Sequence, residues 1–179
     1  RKTKMSTRKM SEYIKSIPKH FHNRITIHSH FNLALRYNLK GIYLTAKHKK
    51  ARLKTMFWIS SIKVRKPKIE ISTSFKSLSQ LYDPKEKIKY TYVFLSPIFH
   101  SDTGKFQSGF SDYSLKIALK KVDFKVIARG GVTIDNISHA EKIGFAGIAL
   151  YSSIWRAKDP VAEFNKVLEK FKELNISAE

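Results

Sequence analysis

Short apolar runs alternate with amphipathic stretches along the whole chain. Six of these runs have the β-branched, aromatic or aliphatic character of buried strands, namely Ile25–Ile27, Ile42–Leu44, Lys68–Ser72, Thr91–Leu95, Phe124–Ala128 and Gly147–Tyr151. Each run is followed by a segment whose pattern predicts a helix. Strands that alternate with helices over short loops form right-handed βαβ units, so the pattern predicts an α/β fold with a parallel sheet.

The helix signals are clearest near the two ends of the chain. Ser6 is a suitable N-cap for a helix with apolar residues at helical spacing, and Pro18 ends it. We predict a last helix from Pro160 to about Leu174, with an apolar face formed by Val161, Phe164, Val167, Leu168 and Phe171. Further helices are predicted at 31–37, 49–62, 75–82 and 112–120, and one more is capped by Thr133 or Asp135. In 49–62 the pattern depends on Leu53, Met56, Phe57 and Ser60.

The number of βα units narrows the fold class. A TIM barrel of about 250 residues uses about 31 residues per unit, so 179 residues hold about six units. The chain is therefore either an open doubly wound sheet or a barrel that lacks two units. No glycine-rich nucleotide fingerprint follows any predicted strand, which argues against a nucleotide-binding open sheet. We expect one domain over residues 1–179.

The charge is concentrated in the first third of the chain. Lys and Arg number 35 against 14 Asp and Glu, a net charge of +21, and residues 1–67 hold 18 of these bases with Glu12 as their one acid. Such a field attracts polyanions. Zinc ligands, a recognition helix and aromatics interleaved on a sheet are all missing, so no specific nucleic-acid reader is predicted. The absence of cysteine excludes thiol catalysis, and no apolar run is long enough for a membrane span. We expect a cytoplasmic protein without a membrane partner and leave homo-oligomerisation open.

In both parallel folds the chemistry lies beyond the carboxyl ends of the strands. The residues at those positions are rich in hydroxyls, histidines and lysines and poor in carboxylates: His28–His30, Thr45–His48, Ser72–Thr73, Ser96–Lys105, Arg129–Val132 and Ser152–Ile154. The Gly130-Gly131 pair is either a phosphate-binding turn or only a tight turn. His28 and His30 could share a metal, although loop histidines without a nearby carboxylate are more often solvated. His20 and His22 are expected to be exposed in a linker.

Four short runs carry a resemblance to a known family. In order and spacing, Leu95–Phe99, Ala128–Asn136, Gly144–Ala149 and Ser152–Pro160 resemble thiamine phosphate synthase and its relative, the thiazole tautomerase. Ile25–His28 with Asn32–Ala34 resembles the family's third strand and helix, and Gly41–Leu44 resembles its fourth strand. The resemblance implies a compact TIM (β/α)8 barrel. It places Arg1 at the end of the second strand, so we expect the first one to two βα units to be missing from this chain.

The resemblance also implies an activity in thiamine biosynthesis. The family's transferase joins a hydroxymethylpyrimidine diphosphate to a thiazole phosphate and releases pyrophosphate, with Mg²⁺ as its cofactor. The positions that match the thiazole phosphate site are Gly131, Ser152 and Ser153. Those that match the pyrimidine diphosphate site are Arg1, His28, Ser29, Ser101, Thr103 and Lys105. No catalytic residue and no metal ligand is assigned.

The sequence departs from the family where the metal should bind. His28-Ser29 stands in place of an Asn-Asp pair, and Ala46–Lys50 covers the position of a second Asp. Because Mg²⁺ requires hard oxygen ligands, these loops argue against the usual magnesium site. One hypothesis is that Lys47, His48, Lys49 and Lys50 neutralise a diphosphate directly; another is that the synthase step has been lost. The lysines could equally be a solvated helix start.

Three alternative functions stay open. A thiazole tautomerase would need a histidine at Pro97, unless His100 replaces it as the general acid or base. A non-catalytic sensor of thiamine phosphates would keep the phosphate turn without the catalytic groups. A cationic protein that associates with nucleic acid is the most distant alternative.

Overall fold

The computed structural model describes residues 5–83, 86–100 and 109–176. The strands are β1 (Thr26–Ile27), β2 (Gly41–Leu44), β3 (Glu70–Phe75), β4 (Tyr92–Leu95), β5 (Lys125–Arg129) and β6 (Gly147–Ala149). The α-helices are α1 (Thr7–Lys15), α2 (Asn32–Arg36), α3 (Ala46–Lys50), α4 (Arg52–Arg65), α5 (Asp112–Lys120), α6 (Ile137–Ile143), α7 (Ser152–Trp155) and α8 (Pro160–Glu173). Within these ranges, 3-10 turns span Lys19–Arg24, Leu78–Leu81 and Ile134–Asn136.

The strands form one sheet in the order β1-β2-β3-β4-β5-β6. The pairs β1–β2, β2–β3 and β5–β6 are parallel. The predicted α/β class with a parallel sheet is therefore confirmed. Within the described ranges, no helix combines the length and the apolar character needed to cross a membrane.

The chain divides into two compact units. The first comprises Arg1–Thr73 with Lys87–Tyr92, and the second comprises Ser74–Glu86 with Val93–Glu179. The expectation of one domain over residues 1–179 stays a prediction.

The core of the first unit lies between its strands and helices. Ile27, Ile42, Leu44 and Ile71 of the strands pack with buried residues of three helices, Ile14 of α1, Leu33 and Ala34 of α2, and Ile62 of α4. The register places Gly41 opposite both Thr26 and Glu70. A Cβ at position 41 would lie 2.6 Å from the Glu70 carbonyl oxygen, so the close approach of β2 and β3 requires glycine there.

Helix α1 is capped by Ser6 as predicted, and the carbonyl groups at its other end bind His22. The Ser6 hydroxyl accepts a hydrogen bond from the Lys9 amide at 3.3 Å. The following residues, predicted to be a linker, form a 3-10 turn in which His22 is only 8% exposed. His22 Nε2 lies 3.1 Å from the Ile14 carbonyl oxygen and 2.9 Å from that of Ile17. The expectation that His22 is exposed was wrong because its imidazole binds the carbonyls at the end of α1, whereas His20 is exposed.

The predicted helix at 49–62 is two helices, α3 and α4, separated at Ala51. Leu53 and Phe57, which carried the predicted pattern, are 85% and 73% exposed. The buried residues of α4 are Thr55 and Ile62 on its opposite side. The helix has two apolar stripes, and the side with Thr55 and Ile62 packs on the core.

Strand β3 is longer than the sequence indicated. It ends at Phe75, which is buried, and the following segment forms only the 3-10 turn Leu78–Leu81. The prediction of a helix over 75–82 was therefore wrong. Because an apolar Phe75 continues the strand's burial pattern, the chain leaves the sheet three residues later than expected.

In the second unit, β5 and β6 run side by side with Arg129 opposite Ala149. Helix α5 is capped by Ser111, and α8 is capped by Asp159 with Pro160 in the first turn. Val167 is buried as predicted, whereas Val161 and Phe164 are 69% and 47% exposed, so only the later part of the predicted α8 face is covered. A short helix, α7, follows β6.

Candidate active site

His48 in α3, the helix after β2, is held by contacts on its ring. Its Nδ1 accepts a hydrogen bond from the Thr45 amide at 3.1 Å and lies 3.0 Å from the Thr45 hydroxyl oxygen. Its ring packs on Phe31, with 4.8 Å between the ring centroids. Because Nδ1 accepts the amide hydrogen, the ring proton of the neutral imidazole is on Nε2.

The surroundings of His48 keep it uncharged. Partial burial lowers the pKa of His48 below its usual 6.5, and the positive charges of His28 and Lys47 lower it further. His48 therefore offers a hydrogen-bond donor at neutral pH and not a positive charge. In the hypothesis of direct diphosphate neutralisation, the charge has to come from the neighbouring lysines, of which Lys47 and Lys50 are exposed.

In the loop after β1, the first residues are accessible to solvent, whereas His30 is held by hydrogen bonds. His28 is exposed and Ser29 is half-buried. His30 adopts a positive φ of 54°. Its Nε2 donates to the Met5 carbonyl at 2.9 Å, and its Nδ1 lies 2.9 Å from the Thr7 hydroxyl oxygen. His30 has both nitrogens occupied and attaches the start of α1 to this loop, so it does not form a metal pair with His28.

Ser72 and Thr73 were expected at a strand end, and this expectation was wrong. Both are buried within β3, at 0% and 1% exposure. Their hydroxyls donate to the carbonyls of Ile42 at 3.5 Å and Leu44 at 2.8 Å. They connect β3 to β2 and are not available to a substrate.

The described residues do not fit magnesium. No group of three potential His, Asp or Glu ligands occurs among residues 5–83, 86–100 and 109–176. The loops after β1 and β2 offer imidazoles, hydroxyls and ammonium groups, whereas Mg²⁺ is bound through carboxylates and water. Four residues assigned to the diphosphate site, Arg1, Ser101, Thr103 and Lys105, lie outside the described residues.

In the second unit, the loop after β4 packs on the glycine turn after β5. The Ser96-Pro97 peptide bond is cis. The Ile98 amide donates to the Arg129 carbonyl, and the Phe99 amide donates to the Gly130 carbonyl, both at 3.1 Å. These bonds attach the two loops to each other.

Both glycines of the turn have positive φ, 87° at Gly130 and 68° at Gly131. A Cβ at Gly131 would lie 2.5 Å from the carbonyl oxygens of Phe99 and His100. Asn136 supports the turn, because its Nδ2 donates to the Gly131 carbonyl at 2.8 Å. The backbone therefore requires glycine at position 131 whether or not an anion binds there.

Ser153 has an unsatisfied hydroxyl. Its oxygen is buried and has no hydrogen-bond partner among the described residues. Ser152 beside it is exposed. Because Arg129 and Ala149 are paired in register, the glycine turn and this serine pair follow adjacent parallel strands at the same edge of the sheet. That Gly131, Ser152 and Ser153 together form one phosphate site stays a prediction.

A second group of polar residues in this unit has no counterpart in the sequence analysis. His139 Nε2 lies 2.8 Å from Asp112 Oδ2, and its ring meets the edge of Phe99 at 5.7 Å. The pair lines a cavity of about 270 Å³ with Ile98, Phe99, His100, Phe110, Leu115, Asn136 and Ile143. Neither partner follows a strand, so the strand-end rule could not find the pair.

The structure thus defines a parallel α/β protein with a glycine turn and paired serines at the carboxyl ends of adjacent strands. A family model described as thiamine monophosphate synthase matches residues 1–154. The chain belongs to this family, which confirms the resemblance drawn from the sequence.

Curated relatives are similar over parts of their length. The thiamine-phosphate synthase of Phocaeicola vulgatus is 35% identical over 60 residues, which cover 34% of this chain and 29% of the relative. The thiamine-phosphate synthase of Methanobrevibacter smithii is 29% identical over 84 residues, which cover 47% of this chain and 40% of the relative. The thiamine-phosphate synthase of Prochlorococcus marinus is 24% identical over 165 residues, which cover 90% of this chain and 44% of the relative. The chain spans less than half the length of these three relatives.

Solved structures are similar over almost the whole chain. Thiamine phosphate pyrophosphorylase from Bacteroides thetaiotaomicron has a TM-score of 0.69 and 25% identity, covering 99% of this chain and 84% of that one. The same enzyme from Pyrococcus furiosus has a TM-score of 0.71 and 20% identity, covering 97% and 81%. At 20% identity, the similarity to the Pyrococcus furiosus structure shows a common fold.

Proposed function

We propose that the chain has thiamine phosphate synthase activity, in which a hydroxymethylpyrimidine diphosphate is joined to a thiazole phosphate. In this reaction the bond between the pyrimidine methylene carbon and the diphosphate oxygen breaks, and pyrophosphate leaves with the electron pair. The thiazole nitrogen then forms the new bond to that carbon. Family membership and the likeness to the Bacteroides enzyme support the proposal.

The observation that carries the proposal is the unpartnered Ser153 hydroxyl, which follows β6, the strand paired with the one that leads into the glycine turn. A buried hydroxyl without a partner costs about 1–3 kcal/mol, which a ligand oxygen would recover. Loops after the last two strands of a barrel often hold a phosphate. We therefore assign the thiazole phosphate to Gly131, Ser152 and Ser153.

For the pyrimidine diphosphate we propose His28 and Ser29, with Arg1, Ser101, Thr103 and Lys105 as further contacts. Neutral His48 would donate from Nε2 to a phosphate oxygen, and Lys47 and Lys50 would supply positive charge. The described donors do not suit magnesium, so in this proposal the lysines neutralise the diphosphate. The sheet is proposed to be part of a TIM barrel; the missing βα units and a cytoplasmic location stay predictions.

The test is an assay of the full-length protein with both substrates, following thiamine phosphate with and without Mg²⁺ and EDTA. Turnover that persists in EDTA is expected if lysines neutralise the diphosphate. Turnover abolished by EDTA and restored by Mg²⁺ would contradict direct neutralisation and keep the transferase assignment.

A second candidate is a non-catalytic sensor of thiamine phosphates, favoured by the same lack of suitable magnesium ligands. Binding of thiazole phosphate without turnover in any metal would support the sensor and refute the transferase. Release of the isomerised thiazole would support the tautomerase alternative, in which His100, exposed in the structure, would have to act in place of Pro97.

A further inference from the structure

A cleft of about 660 Å³ lies in the first unit, and its residues are not part of the proposed active site. It is lined by Lys15, Lys19, His20, His22, Asn23, Arg36, Tyr37 and Asn38. The segment 19–23 comes just before β1, and the segment 36–38 comes just before β2. The cleft is therefore at the end of these strands where they begin, whereas His28 and Thr45 follow the same strands at the opposite end.

The lining of the cleft is cationic. Lys15, Lys19 and Arg36 are exposed, and none of the described residues that line the cleft is acidic. The acids of residues 5–73 are Glu12, which pairs with Arg8 at 3.1 Å, and Glu70, which pairs with Lys40 at 3.7 Å. The three cations have no ion-pair partner among the described residues. Like charges gathered in a concave site concentrate anions from solution.

The walls of the cleft are held by hydrogen bonds that do not involve these cations. His22 Nε2 is bound to the carbonyls of Ile14 and Ile17. The Tyr37 hydroxyl is bound to the Ser11 hydroxyl oxygen at 2.5 Å, which attaches the end of α2 to α1. The Arg36 guanidinium lies 5.6 Å from the centre of the Tyr37 ring. The backbone that carries the cations is thus fixed before any ligand binds, which lowers the entropic cost of binding.

We propose that this cleft binds a small molecule that carries two or more linked phosphoryl groups. Three cations match a ligand with several negative charges, and the side-chain amides of Asn23 and Asn38 add neutral donors. The volume lies within the range of about 300–1,000 Å³ that is usual for small-molecule sites. A concave cleft favours such a ligand over nucleic acid, whose backbone is followed by an extended basic groove. This site is independent of the transferase reaction.

The probe is inorganic tripolyphosphate, titrated calorimetrically into the full chain in buffer without divalent ions. Excess thiazole phosphate is present to occupy the proposed site of the second unit. The titration is fitted with two sites, because the proposed pyrimidine diphosphate site also takes linked phosphoryl groups, and the affinities below are those of the site that the cleft variant weakens. The cleft variant is Lys19→Gln with Arg36→Gln. The matched control is Lys54→Gln with Arg65→Gln, which removes the same charge from exposed positions of α4.

We expect the cleft variant to bind tripolyphosphate at least about tenfold more weakly than the unaltered chain, the effect of losing two charge-assisted hydrogen bonds. The control should stay within about twofold, because distant exposed charges are screened. Equal weakening of both variants would mean attraction to the net charge alone and would overturn the proposal. Tighter binding of a single-stranded oligonucleotide, lost in the same cleft variant, would overturn it too.

A second measurement does not depend on the folding of the variants. The imidazole NMR signal of exposed His20 should shift when tripolyphosphate is added to the unaltered chain, because His20 lines the cleft. An unmoved His20 signal at saturating tripolyphosphate would refute the site even if both double variants failed to fold.

Discussion

Replacing Ser153 by alanine should change stability and ligand affinity in opposite directions. In the free protein the Ser153 hydroxyl is buried without a partner. Removing it relieves an unsatisfied group that costs about 1–3 kcal/mol, so the free energy of unfolding should rise. For a chain of this size each kcal/mol corresponds to about 2–4 °C in Tm. The Ser153→Ala protein should therefore melt at least about 2 °C higher when no ligand is present.

The same change should weaken the binding of thiazole phosphate. A hydrogen bond from a hydroxyl to a charged phosphate oxygen contributes about 1.5–3 kcal/mol. Its loss corresponds to a Kd about 10- to 150-fold higher, measured by calorimetry. Ser60→Ala, at an exposed position of α4, is the control and should alter neither quantity. A Ser153→Ala protein with unchanged affinity, or with a lower Tm, would refute the reasoning that a ligand oxygen satisfies this hydroxyl.

The other predictions concern stability and are measured by thermal or denaturant unfolding. Gly131→Ala should lower the free energy of unfolding by at least about 2 kcal/mol, because the added Cβ would collide with two carbonyl oxygens at a residue whose φ is positive. The control is Gly144→Ala, where φ is +102 but the space around the Cβ is open, and it should lower the free energy of unfolding by only about 1 kcal/mol. Equal losses would contradict the close packing at position 131. His22→Ala should cost about 1–3 kcal/mol because the carbonyls at the end of α1 lose their donor, and His20→Ala should stay within about 0.5 kcal/mol; similar losses would mean that His22 is not a buried donor. Because the pKa of His48 is lowered from 6.5, the unfolded chain binds more protons than the folded one just below that pH, so the free energy of unfolding should fall as the pH drops from 6.5 towards the folded pKa. The fall should be shallower in His48→Gln, and an NMR titration that gives His48 a pKa of 6.5 or above would contradict it.

Most of the fold could be predicted from the sequence, because local patterns determine it. All six apolar runs contain strands, and the Ser6 cap begins α1 as expected. The failures occurred where tertiary packing decides between local alternatives. In α4 both sides carry apolar residues, so periodicity could not tell which side faces the core. At Phe75, burial extended β3 into a segment that also fits a helix.

The sequence indicated which residues follow the strands, but not how their side chains are bonded. The strand-end rule pointed to His28, Thr45, the glycine turn and the serine pair, and the resemblance suggested which ligand each would bind. The rule failed at Ser72 and Thr73 because it depends on the strand boundary, which lies three residues later. Whether a hydroxyl is satisfied, or an imidazole neutral, depends on neighbours distant in sequence. The unpartnered Ser153 and the lowered pKa of His48 could therefore be found only in three dimensions.

The outward side of α4 has a consequence for how the protein behaves in solution. Leu53, Phe57 and Val64 form an apolar stripe, with exposures of 85%, 73% and 82%. Lys54 and Arg65 lie on one border and Lys63 on the other, so two such stripes should repel each other at low ionic strength. At 1 M salt the Debye length falls to about 3 Å and this repulsion is screened, while the attraction between the apolar stripes remains. Colloidal stability should thus decrease with added salt, so concentrated samples are best kept at low ionic strength.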